Sequence, residues 1–205
     1  MRAALAETGL PLLGLNTRRG AAGMNGLAAV PGHGAKARAA VDEAIDYANA
    51  VNARHIHVMA GNAAGEAARA AFLATLRHAC AQTNRMIVIE PLNAQDAPGY
   101  FLRTTAQAAD IIAEVGAPNL KLMFDCYHVA RIEGDVTGRL AVLWPVIGHI
   151  QVASVPDRGA PDHGTLDYAA VWQAIRANGW SVPVGAEYRV TGRTEDTLGW
   201  RASAG

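Results

Sequence analysis

The sequence predicts an α/β fold: a parallel (β/α) barrel that is incomplete, lacking about its first two strands. Three observations point there. Short, nearly continuous apolar runs alternate with longer Ala-rich stretches of helical period, as parallel strands covered on both faces and their crossover helices do. Neither G-x-G-x-x-G nor a P-loop follows a predicted strand, which removes the signature of an open nucleotide-binding sheet. Six strand signals in 205 residues fall short of the eight strands and about 250 residues of a full barrel.

Residues 1–8 read as the tail of a helix whose strand lies outside the chain. The first strand is expected over 10–16, followed by a long Gly-rich loop over 17–34 of the kind that crosses a site. Val41, Ala44, Ile45, Ala48 and Val51 then repeat at three and four, one apolar stripe of a helix. A strand over 55–60 leads to a helix carrying Phe72, Leu76 and Ala79. The strand at 86–90 precedes a helix marked by Ala108, Ile111, Ile112 and Val115, started by Thr104 or Thr105 and stopped by Gly116. After a strand over 120–125 come Leu140, Leu143 and Val146, a shorter helical set. The strand at 149–153 is followed by Val171, Trp172 and Ile175, with Gly179 in the position that ends helices, and the last strand is expected over 182–187. With no linker and no low-complexity tract, residues 1–205 are read as a single barrel domain, N-terminally short.

Composition narrows the function classes. Hydrophobic residues make up 51% and charged residues 18%, and mean hydropathy is +0.08, which excludes a disordered chain. Eighteen basic and eighteen acidic residues cancel, so the positive excess of a nucleic-acid binder is missing. No apolar run reaches the roughly 18 residues of a membrane span, and residues 1–9 do not read as a signal peptide. Cys80 and Cys126 read as reduced thiols of a soluble, cytoplasmic protein, Cys126 as a small packing residue.

The strand ends carry the chemistry, because ligands of parallel βα folds bind at the carboxyl ends of the strands. Glu90, Asp125, Gln151 and Glu187 end, or nearly end, four consecutive predicted strands. Carboxylates converging in a low-dielectric site repel one another, and a divalent cation resolves the repulsion. A ligand set made only of oxygens suits Mg²⁺ or Mn²⁺ better than Zn²⁺. His128, three residues past Asp125, is placed to enter the site. Arg158, in the loop after the Gln151 strand, is placed to clamp a substrate carboxylate or to form a loop ion pair with Asp157 or Asp162. His55 and His57 share one face of their strand and are read as helix-facing or core residues. No Ser–His–Asp arrangement is legible.

Several motifs then stand in a familiar order: His57-Val58-Met59-Ala60-Gly61, Ile89-Glu90-Pro91-Leu92-Asn93, Asp125-Cys126-Tyr127-His128-Val129-Ala130-Arg131, the run 149–168, Gly185-Ala186-Glu187-Tyr188, and Gly192-Arg193-Thr194-Glu195-Asp196 followed by Leu198-Gly199-Trp200. Over residues 16–200 the chain resembles the hydroxypyruvate isomerase family of xylose-isomerase-like TIM barrels. The resemblance implies metal ligands at Glu90, Asp125, Gln151 and Glu187, an acid–base pair in Glu90 and Glu187, and substrate contacts from His128 and Arg158. It implies interconversion of hydroxypyruvate and 2-hydroxy-3-oxopropanoate, with a small hydroxy-oxo acid as partner and neither nucleic acid nor membrane. Family members begin with two further βα units, so Asn16 corresponds to the end of the third barrel strand, and unpaired sheet edges leave homo-oligomerisation open. The alternatives are a 2-oxo-tetronate isomerase of the same family, a metal-dependent endonuclease on a similar barrel, and a catalytically inactive barrel fragment.

Overall fold

A computed structural model describes residues 1–204. Six strands, β1 (Gly14–Asn16), β2 (His55–His57), β3 (Met86–Ile89), β4 (Leu120–Asp125), β5 (Ile147–Val152) and β6 (Gly185–Ala186), form one sheet in that order. Every neighbouring pair is parallel. β1 and β6 are the two edges, so the predicted incomplete barrel is the fold observed.

The intervening chain is helical: α1 (Arg2–Thr8), α2 (Gly34–Val51), α3 (Glu66–Gln82), α4 (Thr105–Val115), α5 (Cys126–Ile132), α6 (Val136–Leu143), α7 (Tyr168–Ala177) and α8 (Arg201–Ala204). α4 shows why the local signals were readable. The Thr104 side chain accepts from the backbone N–H of Gln107, and Gly116 closes the helix at φ 66°. α5 was not predicted as a helix. Asp125 starts it by accepting the backbone N–H of Tyr127 at 2.8 Å, so one residue both ends β4 and caps the helix that follows. No helix among the described residues is long and apolar enough to cross a membrane.

The first and last strands are shorter than the apolar runs that announced them. Pro11 and Pro183 lie in those runs and have no N–H to give a ladder. The 55–60 run is cut for another reason: beyond β2 the chain leaves the parallel ladder, and Ala60 bridges Gly26 in antiparallel fashion. That bridge docks the 17–34 loop. A Cβ on Gly26 (φ 124°) would stand 2.3 Å from the Met59 carbonyl oxygen, and one on Gly61 2.4 Å from that of Gly26, so only a pair of glycines lets the backbones meet there.

Strand residues alternate between two environments. Ile56, Ile87, Ile89, Leu122, Phe124, Ile150 and Val152 point outward into one core with Phe72 and Leu76 of α3 and Ile111 of α4. Burying each such side chain stabilises the fold by about 1.5–3 kcal/mol. The inward set is different: His55, His57, Met123, His149 and Gln151 line a cavity inside the sheet. His55 and His57 are therefore not helix-facing, because Ile56 between them takes the helix side. The glycines at both edges make room for the rings. A Cβ on Gly14 would fall 2.1 Å from His55 Nε2 and one on Gly185 2.9 Å from His149 Nε2. The two imidazoles lie 4.5 Å apart, centroid to centroid. Cys126 is fully buried in the outer core, as expected, and neither cysteine is in a disulfide.

Candidate active site

The concave face of the sheet encloses a cavity of about 380 Å³, within the range of small-molecule sites. Glu90 follows the last residue of β3, Asp125 ends β4, Gln151 lies on β5 beside Asp125 and Gly185 in the strand register, and Glu187 follows β6. The predicted strand-end oxygens thus come from four consecutive strands onto one face. Glu90 is 5% exposed and Asp125 2%, whereas the Glu187 side chain is 51% exposed.

Three of the four residues bring an unsatisfied oxygen. Glu90 Oε1, Asp125 Oδ2 and Gln151 Oε1 are buried without a hydrogen-bond partner, a condition native interiors rarely tolerate. Single ligand atoms of Glu90, Asp125 and His128 all lie within 4.8 Å of one another. Burial, then the charges of Asp125 and Glu187, hold the Glu90 carboxyl well above the usual carboxylate range. Burial pushes Asp125 up to about 7, Glu187 adds to the rise, and Arg158 and the Tyr127 N–H oppose it. A cation among these oxygens would relieve both the missing partners and the repulsion, so the donor set fits a hard divalent ion.

Around the acids stands a shell of neutral imidazoles. His57 Nδ1 lies 3.7 Å from Glu90 Oε2, and His128 Nε2 lies 4.0 Å from Asp125 Oδ2. Burial lowers His57 to about 3, and burial with the Arg158 charge lowers His128 to about 3. Arg158, at φ 58°, crosses the open side. Its Nη2 donates to Glu187 Oε2 at 2.9 Å and lies 3.7 Å from Asp125 Oδ2, while its Nη1 lies 3.7 Å from Asp96 Oδ2. The guanidinium carbon rests 5.0 Å from the Tyr127 ring centroid. Burial opposes the charge of Arg158, but the carboxylates led by Glu187 outweigh it and raise its pKa.

Arg158 therefore bonds to site carboxylates and not to Asp157 or Asp162. Those two hold His163 instead, with His163 Nε2 2.9 Å from Asp157 and Nδ1 2.7 Å from Asp162. Ser154 is within 3.2 Å of His163 Nε2, but its buried hydroxyl donates to Asp157 and accepts the Gly159 N–H. This Ser–His–Asp grouping is a staple for the loop that carries Arg158, not a nucleophile.

Sequence reasoning missed Asp96, Asn93, His57, Arg19 and Asn25. Asp96, Arg19 and Asn25 line the cavity. Asp96 accepts from Tyr127 Oη at 2.8 Å and from Asn93 Nδ2 at 3.2 Å. The signal available for His57 was its alternation with Ile56. Arg19 and Asn25 ride on the docked loop, and their approach depends on the Gly26–Gly61 contact.

The model of the xylose isomerase-like TIM barrel family matches residues 1–204. The chain belongs to that family. It is 41% identical to a 2-oxo-tetronate isomerase of Cupriavidus necator over 98% of this chain and 80% of the relative. It is 35% identical to the hydroxypyruvate isomerase of Escherichia coli over 88% of this chain and 72% of that enzyme. Among solved structures, one from Brucella melitensis named AP endonuclease, family 2, superposes with a TM-score of 0.93 at 33% identity, covering 98% of this chain and 81% of that one. The curated relatives are named as isomerases.

Proposed function

We propose that this chain interconverts hydroxypyruvate and 2-hydroxy-3-oxopropanoate by proton transfer between adjacent carbons, with a divalent ion, Mg²⁺ or Mn²⁺, held by Glu90, Asp125, Gln151 and Glu187. The observation that carries the reading is that three partnerless buried oxygens, Glu90 Oε1, Asp125 Oδ2 and Gln151 Oε1, stand at the ends of the three neighbouring strands β3, β4 and β5, in a chain whose curated relatives are named for this kind of isomerisation. When bound, the ion supplies positive charge to an oxygen that gains negative charge as the neighbouring C–H bond is broken.

Glu90 and Glu187 stand on strands separated by β4 and β5 and can flank a three-carbon acid from two sides. One carboxylate takes the proton from the hydroxymethyl carbon. The other, in its acid form, returns a proton to the former carbonyl carbon, while the hydroxyl proton passes to the former carbonyl oxygen. His128 contacts a substrate oxygen, and Arg158 holds the carboxylate end. Buried imidazoles stand beside the acids, His57 against Glu90 and His128 against Asp125.

A four-carbon 2-oxo-tetronate is the second reading, supported by the 41% identity to the Cupriavidus necator relative. A balanced net charge and a cavity of only about 380 Å³ favour a small acid over a nucleic-acid backbone.

The test is to incubate the purified chain with Mn²⁺ or Mg²⁺ and each oxo acid in D₂O. Deuterium entering the substrate carbon together with appearance of the aldehyde is the expected result. Metal-loaded protein that turns over neither acid rejects the reading. Titration of the metal followed by melting temperature gives the site independently, since an ion at 100 times its Kd stabilises the fold by about 2.7 kcal/mol.

A further inference from the structure

We propose that Asn93 is a positioning residue that places the single proton of the His128 imidazole on Nε2, making His128 a hydrogen-bond donor to the cavity and removing it from the set of metal ligands. The inference rests on the function proposed above for what the donor serves, but its geometry stands by itself.

Asn93 is fully buried. Its backbone N–H donates to His128 Nδ1 at 3.1 Å. Its side-chain Nδ2 lies 2.8 Å from the same ring nitrogen. The amide orientation is settled by its other end: Asn93 Oδ1 accepts the backbone N–H groups of Gln95 at 3.1 Å and Asp96 at 3.0 Å. Exchanging oxygen and nitrogen would set an NH₂ group against two N–H donors, so the nitrogen must face His128 and Asp96. Two donors therefore converge on Nδ1, which must carry a lone pair. A neutral imidazole has one N–H, and it is left on Nε2. The two donors at Nδ1 also exclude the doubly protonated ring, in which both nitrogens would donate.

The consequence separates two arrangements that the carboxylates alone allow. Glu90, Asp125 and His128 are close enough to ligate one ion together. A metal-bound imidazole needs the lone pair of the ligating nitrogen, and the nitrogen nearer Asp125 is Nε2. With Nε2 protonated, His128 presents an N–H at that place, and ligation falls to the oxygens of Glu90, Asp125, Gln151 and Glu187. The same asparagine reaches Arg158 through a second arm. Asn93 Nδ2 and Tyr127 Oη both meet Asp96 Oδ2, which lies 3.7 Å from Arg158 Nη1. One residue thus ties the orientation of the imidazole donor to that of the guanidinium.

The experiment is ¹⁵N NMR of histidine-labelled full-length protein near neutral pH, without metal and again with saturating Mg²⁺. The expected wild-type result is a His128 ring with a bare Nδ1 and a protonated Nε2, unchanged by Mg²⁺. A bare Nε2 in either sample overturns the proposal. Asn93→Asp keeps an oxygen for Gln95 and Asp96 but turns an acceptor toward Nδ1, so its Nδ1 resonance should move to the protonated range. An Nδ1 that stays bare in folded Asn93→Asp also overturns it, because the backbone N–H would then suffice. The metal-free wild-type spectrum decides the tautomer even if that variant fails to fold. Failure of Mg²⁺ to bind, read by a separate calorimetric titration, would count against the proposed function and leave the metal-free spectrum standing.

Discussion

Arg158 Nη2 donates to Glu187 Oε2 at 2.9 Å across 29 residues of chain. The bond ties the loop after β5 to the end of β6 and brings a guanidinium over the buried Asp125. Much of the electrostatic balance of the cavity follows from this contact, since Arg158 is the positive group that approaches Asp96, Asp125 and Glu187 together.

Replacing Arg158 by Ala removes the clamp assigned to the substrate carboxylate. Hydrogen bonds to charged groups contribute about 1.5–3 kcal/mol, so kcat/KM should fall roughly 10- to 100-fold, mainly through KM. Steady-state kinetics on hydroxypyruvate read it directly. A KM equal to wild type would remove Arg158 from substrate binding.

Glu90→Gln and Glu187→Gln each keep an oxygen ligand and lose the base. Turnover should drop about 10²-fold or more, while Mn²⁺ still binds, measured by calorimetry on the same preparations. Wild-type turnover in Glu90→Gln would reject its acid–base role.

Stability should fall as the solution is acidified. Burial leads the causes that hold His55 at about 3 and His149 at about 4, below the ordinary imidazole value of 6.5. Between those values the unfolded chain binds more protons than the folded one, so stability rises with pH through the window and is lost on descending it. His55→Phe should flatten the acid limb of melting temperature against pH. A limb of unchanged steepness would show that this ring contributes nothing to it.

We propose that residues 1–205 form one barrel domain whose seam lies between β1 and β6. Each edge strand has an unpaired side, and edges of this kind invite pairing with another chain. Light scattering after size exclusion should show association that grows with protein concentration. A strictly monomeric chain at all concentrations would mean that the short edges, three and two residues long, are protection enough.

Local features were legible because their causes lie within a few residues. The Thr104 cap, the Gly116 stop and the apolar stripe of α2 each follow from contacts inside one or two helical turns. The strand ends were equally readable, since an acid that closes an apolar run needs no distant partner to be noticed. Hence Glu90, Asp125, Gln151 and Glu187 were found without coordinates, and with them the parallel barrel class. α5 escaped because the seven residues Cys126–Ile132 are too short to show a helical period.

Tertiary structure decided everything that depends on which face or which partner. Alternation along β2 separates His55 and His57 from Ile56 but is silent on which side the helices cover; burial of Ile56 in the outer core with the helix side chains answers that. Whether Arg158 meets Asp157, Asp162 or Glu187 depends on the path of a loop, and Coulomb attraction favours all three alike until the backbone brings one carboxylate within bonding distance. The proton position on His128 depends on donors 35 residues away. The sequence by itself therefore determined most of the elements and the chemical identity of the strand-end side chains, because propensity, capping and periodicity are short-range. Only the fold determined their protonation, their pairing and the shape of the cavity, because those arise from burial and from distances between residues far apart in the chain.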